Sequence, residues 1–330
     1  LLKIYPDLIR LINFSRNLNL NFEVSEGSDC LGELIRTDLK NMKTSLVSRL
    51  FALYLILPLT DAILLAKDGS EPELRVMSFN IRLGVANDGD NRWELRKELV
   101  VQTIREFNPD LLGLQEVWPM QEKYLQENFP EYVYYGRSRL VDPEEGEGCA
   151  IMFKKKRFEL IEKSTFWLSE TPDEPASKSW DTSLPRIVNH TRLKDRDAKG
   201  KEFEFMNTHF DHRGKVARME SAKLIKKRVS GMKKGARVVI TGDFNSGEGS
   251  LPYQSLAGGN LVDSFREVYP KRTEEESTFT AWVGRLIGNR IDWVLCSPNF
   301  LVRSAEINRT NANGRYPSDH YPVTATLHYK

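Results

Sequence analysis

The sequence predicts an α/β (α+β) fold in which two mixed β-sheets pack face to face with helices on the outside. Three observations predict it. Strand-like runs outnumber helical ones, the helices interrupt the strand series instead of alternating with it, and no repeat of fixed period runs through the chain. The first strand is read over 74–81, where Val76, Phe79 and Ile81 supply β-favouring side chains. A loop rich in Asp, Gly and Asn over 87–91 leads to a helix from Trp93 to Phe107. Leu99, Val100, Ile104 and Phe107 fall at helical spacing there, and Asn108 and Pro109 stop it. Leu111 to Gln115 follows as a short strand, apolar enough to be buried on both faces. Further strands are expected over 132–136, 149–153, 166–169, 186–193 and 202–208. In the last of these Phe203 and Phe205 alternate with Glu202 and Glu204, the pattern of a strand with one wet face. A second helix is expected from Lys215 to Val229, with Ala222, Ile225 and Val229 on one side. Strands then follow over 237–241, 290–296, 302–307 and 323–329. Each half of the chain thus offers a strand, a long helix and another strand ending in polar residues.

Composition bounds the function. Of the 330 residues 40% are hydrophobic and 28% charged, enough to bury a core. The 48 Lys and Arg nearly balance the 46 Asp and Glu, so net charge alone proposes no polyanion partner, although nucleic acid is permitted. Three cysteines supply neither a disulfide framework nor a four-thiolate zinc site, so a metal would sit on oxygen and imidazole. From Met42 the chain reads MKTSLVSRLFALYLILPLTDA: Lys43 and Arg49 precede an apolar run, and small residues end at Ala62. That is the layout of a secretory signal, so export is expected, with an uncleaved membrane anchor over residues 50–66 as the alternative. The organisation read from this is an upstream extension over 1–41, a signal over 42–66, a linker over 67–73 and one domain over 74–330, expected to act as a monomer.

Chemistry collects where the strands end. Asn80 closes the first and Glu116 the second; His209 and Asp211 follow 202–208; Asp243 and Asn245 follow 237–241. Asp292 lies in the apolar run Ile291, Trp293, Val294, Leu295, where a buried carboxylate demands a partner, with Arg290 the structural choice and His320 the catalytic one. Asp319 and His320 stand just before the last strand. Taken one at a time these are turn formers and caps. Their convergence from six strands is how a rigid scaffold presents a hard-metal and acid/base site.

In order, SFNIR (78–82), LQE (114–116), NTHFDH (207–212), GDFN (242–245), RIDWV (290–294) and SDHYPV (318–323) resemble the endonuclease/exonuclease/phosphatase superfamily of divalent-metal phosphoesterases, the deoxyribonuclease I-like enzymes. The resemblance spans about 74–330 and implies a four-layer α/β/β/α sandwich. It further implies Mg²⁺ or Mn²⁺ on Glu116, with Asn80 beside that ligand and Asp319 at the metal or the nucleophile. Asp243 would orient or deprotonate the attacking water, Asn245 fix that geometry, His320 backed by Asp292 donate to the phosphate, and His209 stabilise the phosphoryl group or protonate the leaving oxygen. Arg186, from Leu184, Pro185, Arg186, and Asp211 are substrate-binding candidates, with an ion pair as the structural alternative for Arg186. Trp93 and Trp180 are candidates for stacking on a base, with packing as the default. The expected partner is a phosphate ester, nucleic acid included. The leading expectation is a nuclease-type phosphodiesterase; the alternatives are a sphingomyelinase-like phospholipid phosphodiesterase, a phosphomonoesterase, or a binding protein without catalysis.

Overall fold

Period-two alternation holds through the central strands of the computed structural model, which describes residues 72–330. In β1 (Leu74–Asn80), Leu74 and Val76 face the opposite sheet while Met77 and Phe79 pack outward under α1 (Trp93–Phe107). α1 ends at Asn108 in the left-handed conformation, φ 51°, and β2 (Leu111–Val117) follows. The chain continues through α2 (Pro119–Asn128), β3 (Tyr132–Ser138), β4 (Gly148–Lys154), β5 (Phe158–Trp167), β6 (Ile187–Asp195), β7 (Lys201–His209) and α3 (Lys215–Ser230). It closes with β8 (Val238–Asp243), α4 (Leu251–Leu256), β9 (Val262–Asp263), α5 (Ser264–Val268), β10 (Asp292–Cys296), β11 (Phe300–Ile307) and β12 (Val323–Tyr329).

The strands form two six-stranded sheets ordered β11-β12-β1-β2-β4-β3 and β5-β6-β7-β8-β10-β9. Each contains a single parallel pair at its centre, β1 with β2 and β7 with β8, and in each the crossover between them is a long helix, α1 or α3. The half-to-half likeness in the sequence is therefore a likeness of sheet topology. Between the sheets lie Val76, Leu111, Ile151, Phe153, Phe205, Val239, Val294 and Leu327. Outside, Phe79, Leu112, Leu114 and Met152 pack with Val100 and Ile104 of α1, while Ile240, Phe244 and Trp293 pack with Ile225 of α3 and Leu256 of α4. These are the four layers, and the deoxyribonuclease I-like sandwich is the fold.

Several elements differ from expectation: the short α4, β9 and α5 fill a stretch in which no element is expected, and β5 and α2 depart for reasons of burial. β5 begins eight residues earlier than read, because its middle is an edge segment with six exposed residues and has no inward period to detect. α2 gives little periodic signal, since only Gln121 and Leu125 of its ten residues are buried. Trp93 is buried edge-on to Tyr124 and belongs to the core. Cys149 and Cys296 are both buried, unpaired, and in different sheets. The extension over 1–41, the signal or anchor over 42–66 and all but the last two linker residues lie outside the described residues. Among the described residues no helix is long and apolar enough to cross a membrane.

Candidate active site

Along four strands the inward face grades from apolar to polar toward one end. It runs Leu74, Val76, Ser78, Asn80 on β1; Phe203, Phe205, Asn207, His209 on β7; Val239, Thr241, Asp243 on β8; and, in the opposite chain direction, Cys296, Val294, Asp292 on β10. Sheet register aligns the ends, with Asp243 opposite His209 on one side and Asp292 on the other. Glu116 reaches the same place by breaking its strand: it lies in the bulge between β2 and β4 at φ 61°. Arg82 (φ 57°) and Asn245 (φ 47°) are likewise left-handed, so three side-chain-bearing residues at this end hold a backbone that glycine favours.

The side chains meet. The Asn80 amide donates to Glu116 Oε1 at 3.0 Å and to Asp243 Oδ2 at 2.9 Å, while its carbonyl oxygen accepts the Arg82 N–H. Asp243 Oδ1 accepts the Asn245 N–H at 2.9 Å. His209 Nε2 lies 3.4 Å from Asp243 Oδ2, and His320 Nε2 lies 3.8 Å from the same oxygen. His320 Nδ1 is 2.9 Å from Asp292 Oδ2. Arg290 instead pairs with Asp263 at 2.5 Å, so of the two partners weighed for Asp292 the imidazole is the one present. Asp319 hangs from the adjacent turn, where Ser318 Oγ donates to Asn80 O and ties the last strand's approach to β1. The Arg82 guanidinium stands 3.7 Å from Asp319 and 3.9 Å from Glu116.

These contacts set protonation. Burial opposes charge on Asp243, but His209, His320, the Asn245 N–H and the Asn80 amide together hold it below the usual carboxylate range. Burial pushes Asp292 up to about 6, with His320 pulling it back and Asp243 adding to the rise. Burial disfavours an imidazolium at His320, yet Asp292 and Asp243 outweigh it and raise His320 well above its ordinary value. Asp319 is raised by burial and by Glu116, against the pull of His320 and Arg82.

Glu116, His209 and Asp243 offer ligand atoms within 4.8 Å of one another, and so do Asp243, Asp292 and His320. Asp292 Oδ1 is buried with no hydrogen-bond partner. Carboxylates gathered this closely, with a free acceptor among them, fit a hard divalent cation. The profile of the Endonuclease/Exonuclease/phosphatase family matches residues 77–320. The chain belongs to that family. It is 35% identical to the solved structure of Bacteroides thetaiotaomicron VPI-5482 mannosyl-6-phosphatase Bt3783, over 78% of this chain and all of that one, with a TM-score of 0.71. Nocturnin of Rattus norvegicus is 26% identical over 77% of this chain and 64% of that protein. The CCR4-Not complex 3'-5'-exoribonuclease subunit Ccr4 of Mycosarcoma maydis is 24% identical over 83% and 53%. The chain spans less than two thirds of the length of these two relatives.

Within this family member the remaining candidates have settled partners. Arg186 is buried, 3.4 Å from Glu147 and 3.2 Å from His212 Nδ1. Asp211 accepts from Ser183 N and Oγ, Leu184 N, Arg213 N and Gly214 N, so both its oxygens order the turn into α3. Sequence reasoning missed Glu147, whose Oε1 is 3.4 Å from His209 Nδ1 and 2.8 Å from Arg139. Burial opposes its charge, but His209, Arg186 and Arg139 bring it down to about 2. It also missed Arg82 and the buried Arg96, which donates to the carbonyls of Ile81, Arg82, Asn91 and Pro317 and so fastens the turn after β1 to the turn before Asp319. Asn189, first residue of an N-x-[ST] triplet, is fully buried with its amide on Cys149 O, which closes it to glycosylation in the folded chain.

Proposed function

We propose that the chain hydrolyses a phosphodiester by in-line attack of an activated water, as a nuclease-type phosphodiesterase dependent on Mg²⁺ or Mn²⁺. One observation carries the reading: a buried, ionised carboxylate, Asp243, lies between two imidazoles, each backed by a carboxylate of its own, Asp292 behind His320 and Glu147 behind His209. Phosphodiesters resist attack because their oxygens repel nucleophiles, so the site must aim the water and neutralise charge. Asp243 takes the proton from the water, with Asn80 and the Asn245 N–H fixing its two oxygens; such assistance is typically worth about 10² to 10⁴ in rate. His320, kept cationic by Asp292, donates to a non-bridging phosphate oxygen as charge builds there. His209 stands on the other side of Asp243 and assists the leaving oxygen. Glu116 and Asp319 would hold the cation, which when bound supplies positive charge to the phosphate and eases ionisation of the water.

A phosphomonoester is the second reading, favoured by the 35% identity to a mannosyl-6-phosphatase over that protein's full length. The test sets bis-p-nitrophenyl phosphate, p-nitrophenyl phosphate and single-stranded RNA before the purified chain with Mg²⁺, Mn²⁺ or EDTA. The expected result is diester cleavage abolished by EDTA, and a loss of at least about 10² in rate for Asp243→Ala and for His320→Ala with unchanged circular dichroism. Cleavage of the monoester alone selects the second reading, and near-normal rates in both variants overturn the assignment of the site.

A further inference from the structure

The net charge of +2 hides a local asymmetry. From Arg213 to Arg237 the chain carries ten Lys and Arg and a single acid, Glu220, so the rest of the molecule is net negative. This segment starts at the candidate active site. Gly214 donates to Asp211, two residues beyond His209, and Lys215 and Arg218 line a concavity together with Asn245 and Ser246. From there the cations run away from the site along α3: Lys223, Lys226 and Lys227 are exposed on the helix, and Lys233 and Lys234 on the turn beyond it.

Charged helices usually carry both signs and neutralise themselves, as α1 does with Glu94, Glu98 and Glu106 among Lys97 and Arg105. On α3 only Lys223 has an acid on its own helix, Glu220 at 2.8 Å, and Arg228 reaches Asp173 at 3.5 Å while lying over the Phe166 ring. Among the described residues no ion pair engages Lys226, Lys227, Lys233 or Lys234. Like charges three and four apart on a helix cost a few tenths of a kcal/mol each, so this face weakens α3 in isolation and gains from an anion laid along it. A helix of sixteen residues is about 24 Å long, the length of about seven steps of a nucleic-acid strand at 3.4 Å per step. A lipid surface is the poorer match, because beyond the first turn the exposed positions of α3 present lysines and no large apolar group to insert.

We infer that α3 and the turn after it form a track for the phosphate backbone of a nucleic-acid strand whose scissile bond lies at Asp243. The inference rests on the diesterase reading above and names its substrate class. The test uses the full chain and a variant carrying Lys226→Glu, Lys227→Glu, Lys233→Glu and Lys234→Glu, none of which belongs to the catalytic group. Fluorescein-labelled single strands of three and twelve nucleotides, as RNA and as DNA, are titrated by anisotropy in EDTA at several salt concentrations. The twelve-nucleotide strand is expected to bind about tenfold or more tighter than the short one. The variant should lose that advantage, and its dependence of log affinity on log salt should flatten by about 3, as four lost phosphate contacts require. Hydrolysis of bis-p-nitrophenyl phosphate should be equal in the two proteins.

Equal affinity of both proteins for the longer strand overturns the track. So do phosphatidylserine vesicles that bind more tightly than the strand with the same lysine dependence. If neither protein cleaves the small diester but the strand still binds through these lysines, the catalytic reading fails and the track stands. Whether RNA or DNA binds better identifies the strand, and either supports the track.

Discussion

At the scale of single residues, neighbours and depth together decide ionisation. Asp211 and Asp292 both have almost no exposed surface, yet burial in the deeper site carries Asp292 up to about 6, while Asp211, nearer the surface, is held below the usual carboxylate range. Burial opposes charge on Asp211 as well, but the N–H groups of Gly214, Arg213 and Leu184 and the Ser183 hydroxyl all point at its oxygens. A carboxylate depressed in the folded state contributes stability that is complete above its unfolded value near 3.9 and is lost as pH falls toward the folded one. Asp211→Asn is therefore expected to cost about 2 kcal/mol at pH 7, and the gap from wild type should narrow below about pH 4. Urea unfolding across that range measures it; a gap independent of pH would show that the contacts and not the charge matter. Asp243, His320 and Asp292 are legible in the sequence only as a set: each alone reads as a turn former or cap, and it is their arrival at the ends of successive strands that marks a site. Glu147 is not legible: it shares the acidic loop with Glu144 and Glu145, and only the fold shows which of the three turns inward onto His209.

Secondary-structure elements carry these residues to their places, and the joints between them bear the strain. The apolar period fixes α1 from Trp93 to Phe107, yet it says nothing about Arg96, which interrupts the buried side of that helix. Its guanidinium has carbonyls for partners and lies near the rings of Trp93 and Trp282, at 5.2 and 5.4 Å. It thereby joins α1, the turn holding Arg82 and the turn holding Asp319. Arg96→Met keeps the volume but leaves buried carbonyls unpaired, at about 1 to 3 kcal/mol for each group not rescued by water. The expected outcome is a loss of about 3 kcal/mol with a fall in hydrolysis rate, partly restored in Arg96→Lys, which can still reach a carbonyl or two. Denaturant midpoints and rates on bis-p-nitrophenyl phosphate, taken together, check it; a variant as stable and active as wild type would remove Arg96 from the account. α2 and β5 escaped the sequence for the reverse reason, since each buries too little of itself for a period to emerge.

For the whole molecule, the site exists because two sheets of the same topology are held at a fixed spacing under it. Sheet one contributes Asn80 and Glu116, sheet two His209, Asp243 and Asp292, and among the described residues no strand pairing crosses between them. The spacing is set just beneath the site by side chains. Asn207 of β7 donates to the carbonyls of Leu114 and Ala150 in the facing sheet at 2.7 and 2.8 Å, and its own oxygen accepts from Gln115 at 2.6 Å and from Thr241 at 3.0 Å. Such closeness is available only because β2 has glycine at position 113. A methyl group there would lie 1.9 Å from Thr241 Oγ1 and 2.6 Å from Asn207 Oδ1, neither of which can withdraw without abandoning a buried hydrogen bond. Gly113→Ala is thus expected to wedge the sheets apart where Glu116 and Asp243 must face each other, with a stability loss of about 3 kcal/mol and a larger proportional loss of diester hydrolysis. The pair Gly113→Ala with Thr241→Ala removes the closer of the two clashes and leaves the one with Asn207, so it should recover part of the stability, and with it part of the activity, relative to Gly113→Ala alone. If the second substitution brings back neither, the interval between the sheets is governed by something other than this seam.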